Sequence, residues 1–269
     1  MASASELLEF ATALAREAGA LAAKRRREGV SIAGSKSSLV DIVTLADQEV
    51  ERLVRARLAA ERPGDGFLGE ESGAGLSESG LTWVVDPIDG TVNYAYGLPN
   101  WAVSIAVVEG EPDPRTWRAI AGVVYSPLTD ELFSAAVGAG ATLNGSPIEA
   151  APAVDLAGAL VGTGFGYLSE QRESDADLLR SLIAEVRDIR RFGAASLDLC
   201  AVAAGRLNVY YERGLNPWDH AAGGLIATEA GALVTGANGK PATEELIVAG
   251  HPDVVAAMLP KLRTRRETT

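Results

Sequence analysis

The 269-residue sequence predicts a layered α/β protein in which two subregions share one site. The first half reads as two helices followed by a meander of strands, whereas the second half alternates strand and helix. We find no internal repeat and no linker long enough to separate independent domains. We therefore expect one domain over residues 1–269, with subregions of about 1–150 and 151–269.

Composition limits the possible partners and compartments. Apolar residues make up 47% of the chain, enough for a large core, and no apolar run approaches the ~18 residues of a membrane span. With 36 acidic and 24 basic residues the net charge is −12, which argues against nucleic acid or anionic membrane as a partner. We see no secretory signal, and a single cysteine fits a reducing cytoplasm. An anionic substrate would need local charge compensation, for which bound metal is the obvious source.

Two helices are predicted at the start of the chain. The first is amphipathic, with apolar residues at helical spacing: Leu7, Leu8, Ala11, Leu14, Ala18 and Leu21. A loop rich in glycine and serine follows over Gly29–Asp41. The second helix should run from about Thr44 to Ala60, because Thr44 and Asp47 fit a capping box. Its buried stripe would be Val50, Leu53, Val54 and Leu58.

The rest of the first half reads as strands: Phe67–Ser72, Trp83–Asp86, Val103–Val108, Ala119–Tyr125 and Glu131–Ala136. Pro87 should end the second of these, because proline cannot donate to a sheet ladder. The last two should pair antiparallel, and Asn144-Gly145 predicts a hairpin turn.

The second half should alternate between strands and helices. Strands are predicted at Leu160–Gly164, Ile189–Phe192, Leu207–Tyr211 and Leu246–Ala249. Helices are predicted at Glu170–Val186, Ala194–Ala204, Pro217–Ala230 and Pro252–Leu262.

The segment WVVDPIDGTVN carries the clearest functional signal. Asp86 and Asp89 follow an apolar run, and Gly90 and Thr91 begin the next element. Mg²⁺ prefers carboxylate oxygens and shares its remaining positions with water and phosphate. The same residues also suit a polar turn after a strand. On its own, the segment leaves both interpretations open.

Acidic residues elsewhere in the chain also have two interpretations. Asp47 and Asp219 each lie in the first turn of a predicted helix, where a carboxylate stabilises the helix N-terminus. Glu70 and Glu71 follow a predicted strand and could simply face solvent. Taken singly, each position is explained by structure alone.

Taken together, these positions and their surrounding sequences resemble the inositol monophosphatase family of Mg²⁺-dependent phosphomonoesterases. The segments that carry the resemblance occur in the family's order: KSSLVDIVTLAD, GEES, WVVDPIDGTVN and WDHAAGGLIATEAG. The stretch RRFGAASLDLCAVAAGRLNVYYERG is similar to the family's substrate-side segment. The resemblance covers most of the chain and implies a sandwich of alternating layers, αβαβα, of the sugar-phosphatase type.

The resemblance implies a ligand set for two or three Mg²⁺ ions. Glu70, Asp86 and the Ile88 carbonyl match the ligands of the first ion. Asp86, Asp89 and Asp219 match those of the second, and a third, weaker ion is reached through Glu70 and water. By the same resemblance, the glycine-rich loop around Lys36 is a candidate gate for that third ion.

The resemblance also assigns roles in catalysis and substrate binding. Asp47 matches the residue that bonds Thr91, and Thr91 with Glu70 matches the pair that orients the attacking water. Gly90 and Thr91 match the phosphate site, where unpaired N–H groups bind an anion. Glu212 and Ala195 match positions near the sugar or inositol ring.

Composition predicts a cytoplasmic protein, and the resemblance implies a homodimeric, lithium-sensitive phosphatase that cleaves a small sugar or polyol phosphate by metal-activated water. Inositol 1-phosphate is the first expected substrate. Fructose 1,6-bisphosphate, histidinol phosphate and nucleotide 3′-phosphates remain alternatives, because the metal site does not specify the alcohol. A regulatory binding protein on the same scaffold is a further alternative.

Three other sequence signals have a functional interpretation but are not assigned a role in catalysis. Cys200 and Arg206 match the C-x5-R pattern of cysteine-dependent phosphatases, but the residues between them read as helix, which predicts a core cysteine. The string DGTVN is also similar to phosphatases that use an aspartyl nucleophile. Their paired aspartates are two residues apart, whereas Asp86 and Asp89 are three apart, which argues against that mechanism. His220 is expected to be a solvated helix residue.

Overall fold

The computed structural model describes residues 2–30, 32–35 and 42–262. The fold is a five-layer αβαβα sandwich, as predicted. The outer layer holds α1 (Ala4–Glu28) and α2 (Leu45–Glu61). The central layer holds α5 (Ala195–Ala203) and α6 (Pro217–Glu229), which lie between two sheets. The opposite outer layer holds α4 (Ser169–Leu182) and α7 (Pro252–Met258). The short helix α3 (Thr91–Tyr96) follows the fifth strand.

A two-stranded hairpin and two larger sheets hold the strands. The hairpin pairs β1 (Ile32–Ser35) with β2 (Ile42–Thr44). The larger sheet runs in the order β10-β9-β8-β7-β6-β5-β3-β4. Its strands are β3 (Gly66–Gly69), β4 (Gly73–Gly75), β5 (Leu81–Asp89), β6 (Ala102–Glu109), β7 (Arg118–Ser126), β8 (Glu131–Ala136), β9 (Ala141–Leu143) and β10 (Ser146–Ile148). Only the β3–β5 pair in this sheet is parallel.

The second sheet runs in the order β12-β11-β13-β15-β14. Its strands are β11 (Leu160–Thr163), β12 (Asp188–Arg190), β13 (Val209–Glu212), β14 (Leu233–Thr235) and β15 (Ile247–Gly250). The strand β11 pairs in parallel with both β12 and β13, and the remaining pairs are antiparallel. Parallel pairing requires crossover connections, which α4 and α5 supply.

Alternation along β5 assigns its side chains to two cores. Trp83 and Val85 pack with α1 and α2, whereas Val84 packs with α5 and α6. Each core buries many apolar side chains at about 25 cal/mol per Å² removed from water, so the two cores fix the sheet between the helix layers. The end of β5 therefore lies at the boundary of the central layer.

The helix α2 begins where the capping box predicts. Thr44 is the N-cap residue, Asp47 N–H donates to Thr44 Oγ1 at 3.4 Å, and Thr44 N–H donates to Asp47 Oδ2 at 2.8 Å. The Asn144-Gly145 turn is also confirmed, with φ of 50° and 79° at the two residues and the hairpin partners β9 and β10 on either side.

Several predicted boundaries are wrong. Pro87 does not end its strand: β5 continues to Asp89 through a bulge, where a proline without a ladder bond is tolerated. Part of the predicted loop Gly29–Asp41 forms the hairpin strand β1, while residues 36–41, including Lys36, lie outside the described residues. The fourth helix ends at Leu182 instead of Val186.

The sequence patterns missed the short strands β4 and β14. Each has three residues, too few to show periodicity, and each is placed by pairing to a neighbouring strand. A search of the helices in the described residues finds none both long and apolar enough to cross a membrane.

Candidate active site

Four acidic side chains meet at the end of β5. Asp86 and Asp89 belong to that strand, and Glu70 directly follows β3, which runs parallel to it. The Glu70 N–H donates to the Val85 carbonyl at 3.3 Å, so Glu70 continues the ladder beside Asp86. Asp219, in the first turn of α6, approaches the same strand end from the central layer.

The electrostatics of these groups show how close they lie. Burial raises the pKa of Asp86 well above its usual range, and the negative charges of Glu70, Asp89 and Asp219 raise it further. Burial likewise raises the pKa of Asp219, with further contributions from Glu70 and Asp89. Asp86 is only 2% exposed. Buried carboxylates that repel one another in this way form a site that favours a cation.

The carboxylate of Asp89 is held by the start of α5. The Ser196 N–H and hydroxyl donate to Asp89 Oδ2 at 2.8 Å and 2.5 Å, and the Ala195 N–H donates to Oδ1 at 3.2 Å. Burial raises the pKa of Asp89 to about 6, while the bonds from Ser196 oppose that shift.

Asp47 connects helix α2 to the start of α3. Its Oδ2 accepts the Thr44 hydroxyl at 2.5 Å, and its Oδ1 lies 3.2 Å from the Thr91 hydroxyl. The Thr91 hydroxyl also lies 3.0 Å from the Ile88 carbonyl, so its one proton is shared between two acceptors. Burial raises the pKa of Asp47 to about 7. The capping role and the predicted contact with Thr91 thus involve the same carboxylate.

Gly90 occupies a position that only glycine fits well. Its φ of 88° is left-handed, and a Cβ there would lie 2.9 Å from the Asn100 carbonyl oxygen and 3.1 Å from the Gly193 carbonyl oxygen. The backbone therefore turns sharply between Asp89 and Thr91, which places Thr91 next to Asp47.

Glu212 lies at the end of β13, on the side of the second sheet. It is half-buried, not exposed as an ordinary glutamate after a strand would be. The Tyr210 hydroxyl donates to its carboxylate at 2.6 Å. Burial raises the pKa of Glu212 to about 7, and the negative charge of Asp89 contributes to that shift. Glu212 therefore lies within electrostatic range of the acidic cluster.

Sequence reasoning missed two contacts of this site. Glu51, one helical turn after Asp47, is 2% exposed and accepts the Glu71 N–H at 2.9 Å. It rests against Gly69, where a Cβ would approach its Oε2 to 2.5 Å. Ser196, which bonds Asp89, is the second. The i, i+4 spacing of Asp47 and Glu51 is a signal that could have found Glu51.

Two predictions about single residues have clear outcomes. His220 is buried at 5% exposed, so the expectation that it is solvated is wrong: the first turn of α6 packs its ring against Trp117, with centroids 5.9 Å apart. Burial lowers the pKa of His220 to about 4. Cys200 is confirmed as a core residue of α5, and burial raises the pKa of its thiol.

The donor set fits a hard cation such as Mg²⁺ in its chemistry, since it consists of carboxylates and one carbonyl. As oriented, however, no three His, Cys, Asp or Glu side chains in the described ranges form a group that could hold a metal ion. The carboxylates are turned instead towards N–H donors, as Asp89 is to Ser196 and Asp219 Oδ2 is to the Asn216 N–H at 2.6 Å.

Comparison with known proteins decides the family. The sequence profile of the inositol monophosphatase family matches residues 3–267. This chain belongs to the inositol monophosphatase family. It is accordingly a phosphomonoesterase, and members of this family are generally metal-dependent.

Individual relatives agree with this membership. The inositol-1-monophosphatase SuhB of Mycobacterium tuberculosis H37Rv is 44% identical over 96% of this chain and 94% of its own. The protein named Nus factor SuhB of Escherichia coli K12 is 39% identical over 96% of each chain. The crystal structure of the extragenic suppressor protein suhB from Bartonella henselae superposes with a TM-score of 0.88 at 34% identity, covering 97% of this chain and 99% of that one.

Proposed function

We propose that this protein is a Mg²⁺-dependent phosphatase that hydrolyses a small polyol phosphomonoester, with inositol 1-phosphate as the best candidate. The observation that carries the proposal is the meeting of Glu70, Asp86, Asp89 and Asp219 at one strand end, where burial and the neighbouring negative charges raise the pKa of Asp86 and of Asp219. The substrate assignment draws on relatives that are named inositol-1-monophosphatase.

In this proposal the acidic cluster holds two or three Mg²⁺ ions. Glu70, Asp86 and the Ile88 carbonyl would hold one, and Asp86, Asp89 and Asp219 would hold another. When bound, such ions lower the pKa of water and neutralise charge on the phosphoryl oxygens.

Thr91 and Asp47 would orient the attacking water. The Thr91 hydroxyl has one proton, and donation of that proton to Asp47 leaves its oxygen lone pairs free to accept from water. Asp47 is only 1% exposed and is held by Thr44, so its Oδ1 stays within reach of the Thr91 hydroxyl, together with the Ile88 carbonyl as the second acceptor. Together with Glu70, Thr91 would align this water with the phosphorus atom.

The remaining predicted residues would contact the substrate. The backbone N–H groups of Gly90 and Thr91, at the sharp turn before α3, would receive the phosphate. On the other side, Glu212 would accept a hydroxyl of the ring, because a carboxylate accepts hydrogen bonds. Ala195, whose N–H bonds Asp89, would lie beside that ring.

A panel of esters tests the proposal. Phosphate release should be measured from inositol 1-phosphate, fructose 1,6-bisphosphate, histidinol phosphate and a nucleotide 3′-phosphate, with Mg²⁺, with chelator and with Mg²⁺ plus Li⁺. We expect Mg²⁺-dependent release that is fastest for inositol 1-phosphate and is inhibited by Li⁺. Faster release from another ester would reassign the substrate, and no Mg²⁺-dependent release from any would refute the enzyme assignment.

A binding role is the second candidate function, because relatives at 39% identity are named Nus factor SuhB. The two functions separate in a variant that loses turnover but keeps its fold. If the protein acts chiefly through binding, Asp86→Asn should retain the cellular function of the wild type, whereas an enzymatic role predicts its loss.

Assembly and location complete the proposal. We propose a homodimer in the cytoplasm that acts without a nucleic acid or membrane partner, which the net charge of −12 supports for the last two. Sedimentation equilibrium would test the dimer, since a monomer mass of 27.9 kDa at micromolar concentration would contradict it.

A further inference from the structure

The carboxylate of Asp89 performs a task that the family ligand set does not describe: it caps α5. The N-cap residue of that helix, Ala194, has no side-chain oxygen to accept the first N–H groups. Asp89 accepts two of them, from Ala195 and Ser196, across a separation of 106 and 107 residues. Unpaired N–H groups at a buried helix start are costly, so this contact ties β5 to the central layer.

The two oxygens of Asp89 are bonded unequally. Oδ2 accepts both the N–H and the hydroxyl of Ser196, at 2.8 Å and 2.5 Å, and a carboxylate oxygen has about two lone-pair sites. Oδ1 accepts only the Ala195 N–H, at the longer distance of 3.2 Å. Oδ2 is therefore saturated, and the free lone pair of this carboxylate is on Oδ1.

We infer that Ser196 is a positioning residue, which leaves Oδ1 as the oxygen through which Asp89 would bind a metal ion. The inference rests on the proposed function, because it takes Asp89 as a metal ligand. The Ser196 hydroxyl occupies the second lone pair of Oδ2 and prevents the carboxylate from rotating. Ser196 is completely buried, so water does not compete for this bond.

Removal of the hydroxyl should loosen the ligand without unfolding the helix. In Ser196→Ala, both backbone N–H groups still cap α5, but Oδ2 regains a free lone pair and the carboxylate can rotate. Partners that orient a metal ligand typically contribute 10–100-fold to metal affinity or activity. We expect a loss of Mg²⁺ affinity of at least about 10-fold, a lower kcat and an unchanged KM for the ester.

The test compares wild type, Ser196→Ala and Ser134→Ala. Ser134 is a suitable control because it lies on β8, three strands from β5 in the sheet. Its hydroxyl lies 3.0 Å from Thr142 Oγ1 on β9 and takes no part in the acidic cluster. Mg²⁺ binding should be measured by titration calorimetry, which does not depend on activity, alongside kcat, KM and the thermal unfolding temperature without metal. Ser134→Ala should bind Mg²⁺ like the wild type.

The outcomes separate this inference from the proposed function. Weaker Mg²⁺ binding in Ser196→Ala alone, with a metal-free unfolding temperature near that of wild type, supports it. Mg²⁺ affinity within twofold of wild type, or an equal loss in Ser134→Ala, overturns it while the proposed function stands. If the wild type itself binds no Mg²⁺, both fall together.

Discussion

Asp86 and Asp89 lie on the same face of β5 although they are three positions apart. Asp86 pairs with Ser104 and Asp89 pairs with Ala102, so three steps on β5 match two steps on β6. Side chains alternate along a regular strand, and residues three apart would face opposite sides. The extra residue of this β-bulge, in the segment containing Pro87, directs both carboxylates to the central layer, where Asp219 meets them.

The first prediction concerns Thr91. Thr91→Ala should lower kcat by about 10²-fold, the lower range for a group that assists proton transfer. KM should change little, because the hydroxyl orients water and is not expected to bind the alcohol. Steady-state kinetics at saturating Mg²⁺ would check this. A change in KM alone would contradict the role.

The second prediction concerns Glu51, which accepts a hydrogen bond from the N–H of Glu71, the residue directly after Glu70. Glu51→Ala removes the acceptor of the part-buried Glu71 N–H, at a cost of about 0.5–1.5 kcal/mol, and should raise the Mg²⁺ concentration needed for half-maximal activity. Glu51→Gln keeps an acceptor and should restore most of that loss. Glu49→Ala is a matched control, because Glu49 lies on the same helix but pairs with Arg25. Equal effects of the Ala and Gln variants would argue against the positioning role.

The third prediction concerns Glu212 and the leaving group. Loss of a hydrogen bond to an uncharged hydroxyl is worth about 0.5–1.5 kcal/mol. Glu212→Ala should therefore raise KM for inositol 1-phosphate by up to about 10-fold. For a phosphate ester without ring hydroxyls, such as p-nitrophenyl phosphate, KM should be nearly unchanged. Equal losses for both esters would show that Glu212 acts through the metal site instead.

The fourth prediction concerns the pH dependence of stability without metal. The folded protein holds protons on Asp47, Asp89 and Glu212 up to about pH 7, 6 and 7, whereas the unfolded chain releases them near pH 4. Where the folded state binds more protons, stability falls as pH rises. The unfolding temperature in chelator should therefore fall as pH rises towards 7.

His220 has the opposite effect on the pH dependence of stability, and a suitable pH interval limits its contribution. Its folded pKa is about 4 and its unfolded pKa about 6.5, so its contribution is complete above pH 6.5 and is lost as pH falls towards 4. Scans from pH 6.5 to 7.5 thus report the carboxylates, and saturating Mg²⁺ should flatten the slope. A metal-free unfolding temperature that rises across this interval would contradict the account.

The layer order was implied by the family resemblance, whereas the start of α2 and the β9–β10 turn could be predicted because local signals fix them. Thr44 and Asp47 contact each other three residues apart, and Asn144-Gly145 forms its turn within two residues. Strand β14 could not be predicted in this way, because three residues show no period and its position depends on pairing with β15.

The site shows the same division between local and distant determinants. The proposed roles of Asp86, Asp89, Gly90 and Thr91 come from one short segment and its family resemblance. The bond from Ser196 to Asp89 spans 107 residues, and no local pattern indicates it. The expectation for His220 was wrong because burial of the α6 start depends on Trp117, which lies on a distant loop.

A chelate-and-restore assay on Asp86→Asn tests most directly whether Asp86 binds the catalytic metal. Wild type, Asp86→Asn and the control Asp188→Asn, which removes an exposed carboxylate paired with Arg190, are stripped with chelator and titrated with Mg²⁺ while phosphate release is followed. Mg²⁺ should restore turnover to wild type and Asp188→Asn but not to a folded Asp86→Asn. Near-wild-type restoration in Asp86→Asn would contradict the account.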